Sequence, residues 1–169
     1  MSVHVVLHEP EIPANTGNIA RTCAGTNAHL HLIHPLGFST DDRMLKRAGC
    51  DYWPKVSVHH HDNLDELMEA YPDGEFYAIE TTGAVSYTEK DFSRADRDYF
   101  FVFGKETKGL PPEVLDHFNG RCLVIPQTTN VRSLNLSNTA AVLVYEAMRQ
   151  QDFVSLLEPA ADEAAVPPK

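Results

Sequence analysis

Cysteine is scarce in this chain, which has only three in 169 residues: Cys23, Cys50 and Cys122. They are widely separated, and no two of them form a C-x-x-C pair. A disulfide framework needs more cysteines, and a thiolate zinc site needs closely spaced pairs. The sequence therefore argues against both kinds of site, and a reducing cytoplasm is the simplest location for the protein.

Long apolar runs are also missing. No run approaches the roughly 20 apolar residues that a bilayer-spanning helix needs. The first residues, Met1 to Leu7, lack the basic segment and the apolar core of a secretory signal peptide. We therefore expect neither a leader nor a membrane partner.

Basic residues are the third shortage. The chain has 14 Lys and Arg against 24 Asp and Glu, which gives a formal net charge of −10. Part of this charge comes from the last residues, where Glu158, Asp162 and Glu163 outnumber Lys169. Proteins that bind nucleic acid usually carry a basic surface, so composition by itself argues against RNA binding. An RNA site on this chain would have to be a local basic patch.

What the sequence does contain is an alternation of short apolar segments with helical periodicity. Six segments are predicted strands: 3–7, 29–34, 56–58, 75–80, 99–103 and 121–125. Predicted helices lie between and after them at 15–28, 41–48, 63–71, 111–118 and 136–150. This order predicts a single α/β domain with a mostly parallel sheet flanked by helices. From Leu156 onward Glu, Ala and Pro dominate, which predicts a disordered tail.

A polar loop follows the first predicted strand. It runs from Glu9 to Arg21 and has two prolines ahead of Asn15-Thr16-Gly17. This tripeptide can begin a helix whose N-terminal amides face an anion, with Arg21 about one and a half turns further on. An ordinary turn with a helix cap and a surface arginine would give the same pattern. The loop by itself leaves both interpretations open.

A second loop, Phe103-Gly104-Lys105-Glu106-Thr107-Lys108-Gly109-Leu110, follows a strongly apolar predicted strand. Gly104 lets a backbone pass close to a ligand, and Gly109 permits an unusual turn. A phosphate-binding Walker A loop is excluded, because Tyr99 stands where its first glycine is required. A binding loop and a solvated charged turn are the two remaining interpretations.

The third loop joins Ile125-Pro126 to Arg132-Ser133-Leu134-Asn135-Leu136-Ser137-Asn138. It is rich in Asn and Ser, yet Leu134 and Leu136 would be out of place on a plain surface loop. A helix cap with hydrophobic staples is the structural alternative. Because such a cap needs only one or two of these polar groups, the pattern favours a binding loop.

Histidines form the other candidate clusters. The segment His59-His60-His61-Asp62 has metal-ligand residue types, but consecutive side chains cannot all point at one ion. We therefore predict an exposed loop there and no metal. His29, His31 and His34 alternate along a predicted strand and are expected to be packing or surface residues. The G-x-S-x-G elbow of a serine hydrolase is absent from the sequence.

Taken together, the three loops resemble the three motifs of the SPOUT methyltransferases. The matching segments are Asn15-Thr16-Gly17-Asn18-Ile19-Ala20-Arg21, residues 103–110, and Ile125-Pro126 with residues 132–138. Residues 7–13 and 47–52 bring the chain closest to the small tRNA (cytidine/uridine-34-2′-O)-methyltransferases, which modify the wobble nucleotide of certain leucine tRNAs. The resemblance covers Val3 to Phe153.

This resemblance implies a methyltransferase domain over residues 1–154, while the composition predicts a disordered acidic tail over 155–169. It implies a trefoil knot in the C-terminal third, and a homodimer whose active sites are built from both subunits. It also implies S-adenosylmethionine as cofactor, held by Ile79, Thr81, Gly104, Glu106, Ile125, Ser133, Leu134 and Asn135. The last helix, with Ala140, Ala141 and Ala147, is the expected dimer surface.

For the reaction, the resemblance implies attack of a ribose 2′-hydroxyl on the activated methyl group of the cofactor. Arg21 is expected to position the ribose-phosphate and stabilise the developing alkoxide, because a guanidinium is a poor base. Asn15 would orient Arg21, and Ser137 could contact the substrate. The expected RNA contacts are Arg43, Lys46 and Arg47, which could equally solvate the outer face of their helix.

Three alternatives stay open at this point. The same chemistry could act on another RNA, or the chain could be a binding module that keeps the cofactor pocket without catalysis. The presence of both Asn15 and Arg21 argues against such a module. The third alternative is an unrelated nucleotide-binding α/β family, which an unknotted sheet would favour. Lys105 departs from the family pattern, where Pro or Ser is common, and adds charge at the expected pocket mouth.

Overall fold

The computed structural model describes residues 2–40, 52–94 and 96–156. Within these ranges seven strands form one sheet. They are β1 (Val3–His8), β2 (His29–Ile33), β3 (Val58–His61), β4 (Glu75–Ile79), β5 (Val85–Ser86), β6 (Tyr99–Phe103) and β7 (Cys122–Val124). Their order across the sheet is β3-β2-β1-β6-β4-β7-β5, and every pairing is parallel. All strands therefore end at the same edge, where the loops that follow them gather.

Helices cover both faces of this sheet. Those in the described ranges are α1 (Pro13–Thr26), α2 (Leu64–Ala70), α3 (Pro112–Leu115) and α4 (Leu136–Gln150). Short 3₁₀ turns lie at Trp53–Lys55, Tyr87–Glu89, Asp116–Phe118 and Val154–Leu156. Proline sets the first turns of α1 and α3. The side chains of Asn63 and Asn135 cap α2 and α4, so sequence chemistry defines these helix starts.

The core lies on both sides of the sheet, as is usual for parallel strands. All five residues of β6 are buried, and they alternate between the two faces. Tyr99, Phe101 and Phe103 belong to a cluster formed with α1 and α4. Phe100 and Val102 belong to a second cluster formed with α2 and the segment around α3. The domain therefore has three layers, with the sheet between two groups of helices.

The predicted α/β domain with a parallel sheet flanked by helices is confirmed. Helix α4 has the predicted bounds, and five of the six predicted strands lie at their predicted positions to within a residue at either end. The strand predicted at 56–58 shares only Val58 with β3, which runs on to His61. Strand β5 is not predicted, because two residues carry no readable periodicity. The helix predicted at 41–48 and most of the predicted tail lie outside the described residues, and the domain boundary and the knot stay predictions. No helix in the described ranges has the length and apolar character needed to cross a membrane.

Two predictions about exposed segments are wrong. His59, His60 and His61 belong to strand β3, because their backbone pairs with residues 31–33 of β2 instead of forming a loop. Ala140 and Ala147 are fully buried in the core of their own chain and do not form an outer surface of the last helix. They are two helical turns apart, so they share the face that packs on the sheet and α1.

Five histidines lie together on the first three strands of the chain. This histidine array consists of His4, His29, His31, His59 and His61. His31 is fully buried at its centre, with one ring nitrogen 2.9 Å from His4 Nδ1 and the other 3.0 Å from His61 Nε2. Burial, and then the neighbouring imidazoles, lower the pKa of His4 and of His31 to about 2. The two buried rings are therefore uncharged at neutral pH.

Candidate active site

A cavity of about 610 Å³ opens at the carboxyl edge of the sheet, where β4, β6 and β7 end and α4 begins. Parallel α/β sheets usually bind their ligands at this edge, and the volume is typical of a small-molecule site. The lining residues are Ile12, Asn15, Ile79, Glu80, Thr81, Phe103, Gly104, Lys105, Glu106, Thr107, Lys108, Gly109, Ile125, Gln127, Arg132, Ser133, Leu134, Asn135, Leu136 and Thr139.

The carboxylate of Glu106 joins the second loop to the start of α1. Its oxygens accept hydrogen bonds from the backbone N–H of Glu11 at 2.9 Å and of Ile12 at 3.2 Å. It also accepts one from Asn15 Nδ2 at 3.2 Å. The N-cap position of α1 is Ile12, whose side chain cannot cap a helix. A carboxylate from a distant loop therefore takes the place of a local cap at the positive end of the helix.

The third loop joins the same network through Asn135. Its Nδ2 donates to Asn15 Oδ1 at 3.0 Å, across 120 residues of sequence. Its Oδ1 accepts from the backbone N–H of Ser137 at 2.9 Å and from the Ser137 hydroxyl at 2.6 Å. One asparagine thus caps α4 and contacts α1. The chain Glu106–Asn15–Asn135–Ser137 connects all three loops.

The second loop closes on itself so tightly that glycine is required. Lys105 and Gly109 exchange backbone hydrogen bonds of 3.2 and 2.8 Å. A Cβ on Gly104 would lie 2.1 Å from the carbonyl carbon of Gly109, and Gly109 itself has φ +70°. Both positions exclude any other residue without movement of the loop. The two glycines therefore shape the cavity wall.

Glu80 supports this loop from the end of β4. Its Oε1 accepts a hydrogen bond from the backbone N–H of Leu110 at 2.6 Å. A Cβ on Gly109 would come within 2.7 Å of the same oxygen. Burial raises the pKa of the Glu80 carboxyl, although the amides of Leu110 and Thr81 favour its charged form. Glu80 is thus a partly buried acid beside the cavity.

Two further acids hold the second loop against the first. Lys105 pairs with Glu9, and this hydrogen bond raises the pKa of Lys105. Glu11 accepts hydrogen bonds from the backbone N–H and the hydroxyl of Thr107, at 3.2 and 2.7 Å. The positive charge of Lys105 is therefore balanced by the neighbouring carboxylate of Glu9. Lys108 and Arg132 also line the cavity, and they are exposed.

The structure brings most of the predicted site residues together. All eight residues predicted to hold the cofactor line the cavity: Ile79, Thr81, Gly104, Glu106, Ile125, Ser133, Leu134 and Asn135. Asn15 lines the cavity as well. Ser137 is buried and donates a hydrogen bond to Asn135, but it does not line the cavity. Arg21 is not among the lining residues; it is exposed on α1, with its Cζ 5.1 Å from the ring centre of Tyr52. Arg43, Lys46 and Arg47 lie outside the described residues.

Asn15 is expected to orient Arg21, and this role stays a prediction. The hydrogen bonds of the Asn15 amide go to Glu106 and Asn135. Glu80 and Gln127 are among the cavity residues that the sequence did not predict. Gln127 accepts from the backbone N–H of Leu134 at 3.2 Å and donates to the carbonyl of Arg132 at 3.1 Å, so it holds the third loop folded. Glu80 is the last residue of a predicted strand and Gln127 lies two residues after another, at the sheet edge where such folds bind ligands, so position could have identified both.

A parallel sheet with three polar loops joined around a cavity at its carboxyl edge is the arrangement of a small-molecule-binding α/β enzyme. The model of the SpoU rRNA methylase family matches residues 2–145, and the chain belongs to this family of methyltransferases. The resemblance seen in the three sequence motifs is thereby confirmed.

Individual relatives have names that are more specific than the family description. A Bacillus subtilis protein is 62% identical to this chain over 156 residues, which are 92% of this chain and 98% of the relative. That relative has the provisional name tRNA (cytidine(34)-2′-O)-methyltransferase. A Methylovorus glucosotrophus protein with that name is 48% identical over 150 residues, 88% of this chain and 96% of the relative. A solved structure concerned with 2-OH methylation of C/U34 on tRNA has a TM-score of 0.80 at 44% identity, covering 89% of this chain and 97% of that one.

A more distant structure shares the fold. AviRb from Streptomyces viridochromogenes, a SpoU methyltransferase solved in complex with AdoMet, has a TM-score of 0.77 at 20% identity. The match covers 89% of this chain and 58% of AviRb.

Proposed function

We propose that this protein transfers the methyl group of S-adenosylmethionine to the ribose 2′-hydroxyl of the wobble nucleotide, position 34, of tRNA, and that leucine tRNAs are its substrates. The observation that carries the proposal is the junction of three motif loops around one cavity through Glu106, Asn15 and Asn135. The names of relatives that match nearly the whole chain supply the substrate class.

The cavity fits S-adenosylmethionine by its chemistry. Ile79, Ile125 and Leu134 offer apolar surface for an adenine ring, and the flanking loops offer backbone groups for hydrogen bonds. Exposed Lys108 and Arg132 suit the cofactor's carboxylate. The carboxylate of Glu80 suits its cationic groups. Bound there, the cofactor would supply an already activated methyl group, so the protein's main task is alignment.

The position of Arg21 supports a homodimer with a composite active site. Arg21 lies six residues after Asn15, which places it about 9 Å further along the helix and on a different face. It therefore does not reach into the cavity of its own chain. Because its guanidinium is exposed, a second copy could place it beside the cavity of the first. One subunit would hold the cofactor and the other would present Arg21.

Helix α4 offers a surface for that second copy. Asn138, Val142, Tyr145 and Arg149 form an exposed stripe at helical spacing. Val142 is 39% exposed and Tyr145 is 50% exposed, although both are large apolar or aromatic side chains. Exposed apolar patches of this kind mark association surfaces. This stripe replaces the buried alanines as the proposed dimer surface.

Arg21 would then act on the ribose. A guanidinium has five N–H donors and no acceptor, so it is suited to stabilise negative charge rather than to take up a proton. We assign it to the ribose 2′-oxygen, as negative charge develops there, and to the neighbouring phosphate. The 2′-hydroxyl proton would pass to water, and loss of the methyl group would leave the cofactor as S-adenosylhomocysteine. Asn15 and Ser137 act on the reaction indirectly, because their hydrogen bonds hold the cavity loops in place.

RNA binding has to overcome the acidic composition. We propose that Arg43, Lys46 and Arg47 form the local basic patch, since these three cations fall within five residues of sequence. With a net charge of −10, the chain should bind tRNA in a strongly salt-dependent way. A cytoplasmic location and a knotted C-terminal third belong to the same proposal.

The test is transfer of a radiolabelled methyl group from S-adenosylmethionine to unmodified leucine tRNA, with the modified nucleotide mapped. Wild type, Arg21→Ala and Arg94→Ala are compared; Arg94 is an exposed arginine near the start of β6, at the opposite edge of the sheet. Label on the wobble ribose, lost in Arg21→Ala and kept in Arg94→Ala, supports the proposal. Absence of transfer by a wild type that still binds the cofactor would contradict it and indicate another RNA or a binding module.

A further inference from the structure

Tyr52 contacts α1 at two points that lie one helical turn apart. Its hydroxyl donates a hydrogen bond to the carbonyl oxygen of Gly17 at 2.9 Å. Its ring lies beneath the guanidinium of Arg21, with 5.1 Å between the Arg21 Cζ and the ring centre. Gly17 and Arg21 are four residues apart in the same helix, so they are neighbours on its surface. The tyrosine therefore spans the turn that carries Arg21.

This arrangement restricts an otherwise free side chain. A guanidinium within about 6 Å of an aromatic ring centre is attracted by the ring's negative face. Among the described residues, no carboxylate lies within ion-pair distance of Arg21. An acid there would compete with a phosphate for the guanidinium, whereas an aromatic ring leaves its hydrogen-bond donors free. The contact orients the charge without neutralising it.

We propose that Tyr52 is a positioning residue for the methyl-transfer reaction, holding the Arg21 guanidinium in the orientation that meets the RNA ribose and phosphate. The inference rests on the proposed function, in which Arg21 engages the substrate. The hydroxyl anchors Tyr52 to the backbone of α1, and the ring carries the stacking contact. Tyr52 itself is not assigned to cofactor binding, because it is not among the residues that line the cavity.

A purely structural role makes a different prediction. Tyr52 is half-buried and packs against the main core, and so does the neighbouring Trp53. Trp53→Leu therefore serves as a matched control, since it removes an aromatic ring from the same turn. If packing were the whole role of Tyr52, the two leucine variants would lose thermal stability and activity together. If Tyr52 positions Arg21, Tyr52→Leu lowers kcat per folded site and Trp53→Leu does not.

The experiment compares kcat and KM for tRNA in wild type, Tyr52→Phe, Tyr52→Leu, Trp53→Leu and Arg21→Ala, each normalised to cofactor-binding sites titrated by calorimetry. We expect Tyr52→Leu to lower kcat about fivefold, as loss of a stacked cation contact suggests. Tyr52→Phe keeps the ring and should retain most of the activity. Trp53→Leu should keep kcat per site. In NMR spectra, the Arg21 Nε–H signal should shift in Tyr52→Leu and stay near its wild-type position in Tyr52→Phe.

The outcomes separate the two proposals. If wild type and Arg21→Ala differ as expected but Tyr52→Leu keeps its kcat per site, the positioning role of Tyr52 is overturned and the proposed function stands. An equal loss of kcat per site in Tyr52→Leu and Trp53→Leu overturns it as well. If wild type transfers no methyl to any tRNA, the proposed function fails and the role of Tyr52 fails with it.

Discussion

The amide of Asn15 donates a hydrogen bond to the carboxylate of Glu106 at 3.2 Å, although 91 residues of sequence separate them. The same carboxylate accepts two backbone N–H groups at the start of α1. A residue of the second motif thus holds the first motif in place. Three hydrogen-bond donors at the start of α1 meet this carboxylate, at the end of the helix that favours acceptors.

The first prediction concerns this carboxylate. Glu106→Gln should weaken cofactor binding roughly tenfold, because a neutral amide accepts fewer hydrogen bonds and the cavity wall loosens. Calorimetric titration with S-adenosylmethionine measures the change. Glu113→Gln, an exposed acid in α3, should leave the affinity unchanged. Equal affinities in both variants would show that Glu106 does not shape the cavity.

Asn135 allows the cap of α4 to be separated from the contact with α1. Asn135→Asp keeps the oxygen that caps the helix but replaces the donor to Asn15 with a second oxygen. We expect a loss of about 1 kcal/mol or less in the free energy of unfolding, together with a clear loss of methyl transfer. Asn135→Ala should lose both the cap of α4 and the contact with Asn15. Urea denaturation and the methyl-transfer assay together distinguish the two variants. An active Asn135→Asp enzyme would contradict the proposed junction.

Glycine substitutions test the shape of the second loop. Gly104→Ala places a methyl group 2.1 Å from the Gly109 carbonyl carbon, so the loop must move and cofactor binding should be abolished. Gly25 provides the opposite case, because a Cβ there meets nothing within 4 Å and the residue lies in α1. Gly25→Ala should raise the free energy of unfolding by about 0.5–1 kcal/mol. Thermal melts and cofactor titration of both variants check these opposite expectations.

The histidine array predicts sensitivity to acid. The folded-state pKa values of His4 and His31 are lowered to about 2, while an unfolded histidine titrates near 6.5. The unfolded chain therefore binds more protons below about pH 6.5, and stability falls as the pH decreases through that value. At about pH 5 each of the two buried rings should cost about 2 kcal/mol.

Urea denaturation between about pH 8 and about pH 5 measures this dependence. His31→Leu should flatten it, whereas His117→Gln, at an exposed position in a 3₁₀ turn, should preserve it. A wild type whose stability is constant across this range would rule out neutral buried histidines.

The exposed stripe on α4 predicts the oligomeric state. Tyr145→Glu adds a charge where 50% of the side chain is exposed, so the monomer should fold normally while a dimer is disrupted. Analytical ultracentrifugation should show a dimer for wild type and a monomer for the variant, with methyl transfer lost. Glu69→Lys, on the exposed face of α2, is the charge-changing control. A dimeric Tyr145→Glu protein would place the interface elsewhere.

Local features of the sequence determined most elements of the fold. The apolar run of β6 and the helical spacing of α4 act within a few residues, so the local pattern identifies them. The three motif loops are also contiguous in sequence, and all eight expected cofactor residues line one cavity.

Only the tertiary structure decided which distant groups meet. The placement of β6 between β1 and β4 depends on packing over the whole sheet, and it brings Glu106 to the start of α1. The pairing of β2 with β1 and β3 buries His31 between His4 and His61, where sequence predicts only an alternating strand and an exposed loop. Periodicity reports which side of an element is buried, but not which element covers it. Contacts such as Glu80 with Leu110 and Tyr52 with Arg21 therefore arise from the fold, because each joins residues that no local pattern relates.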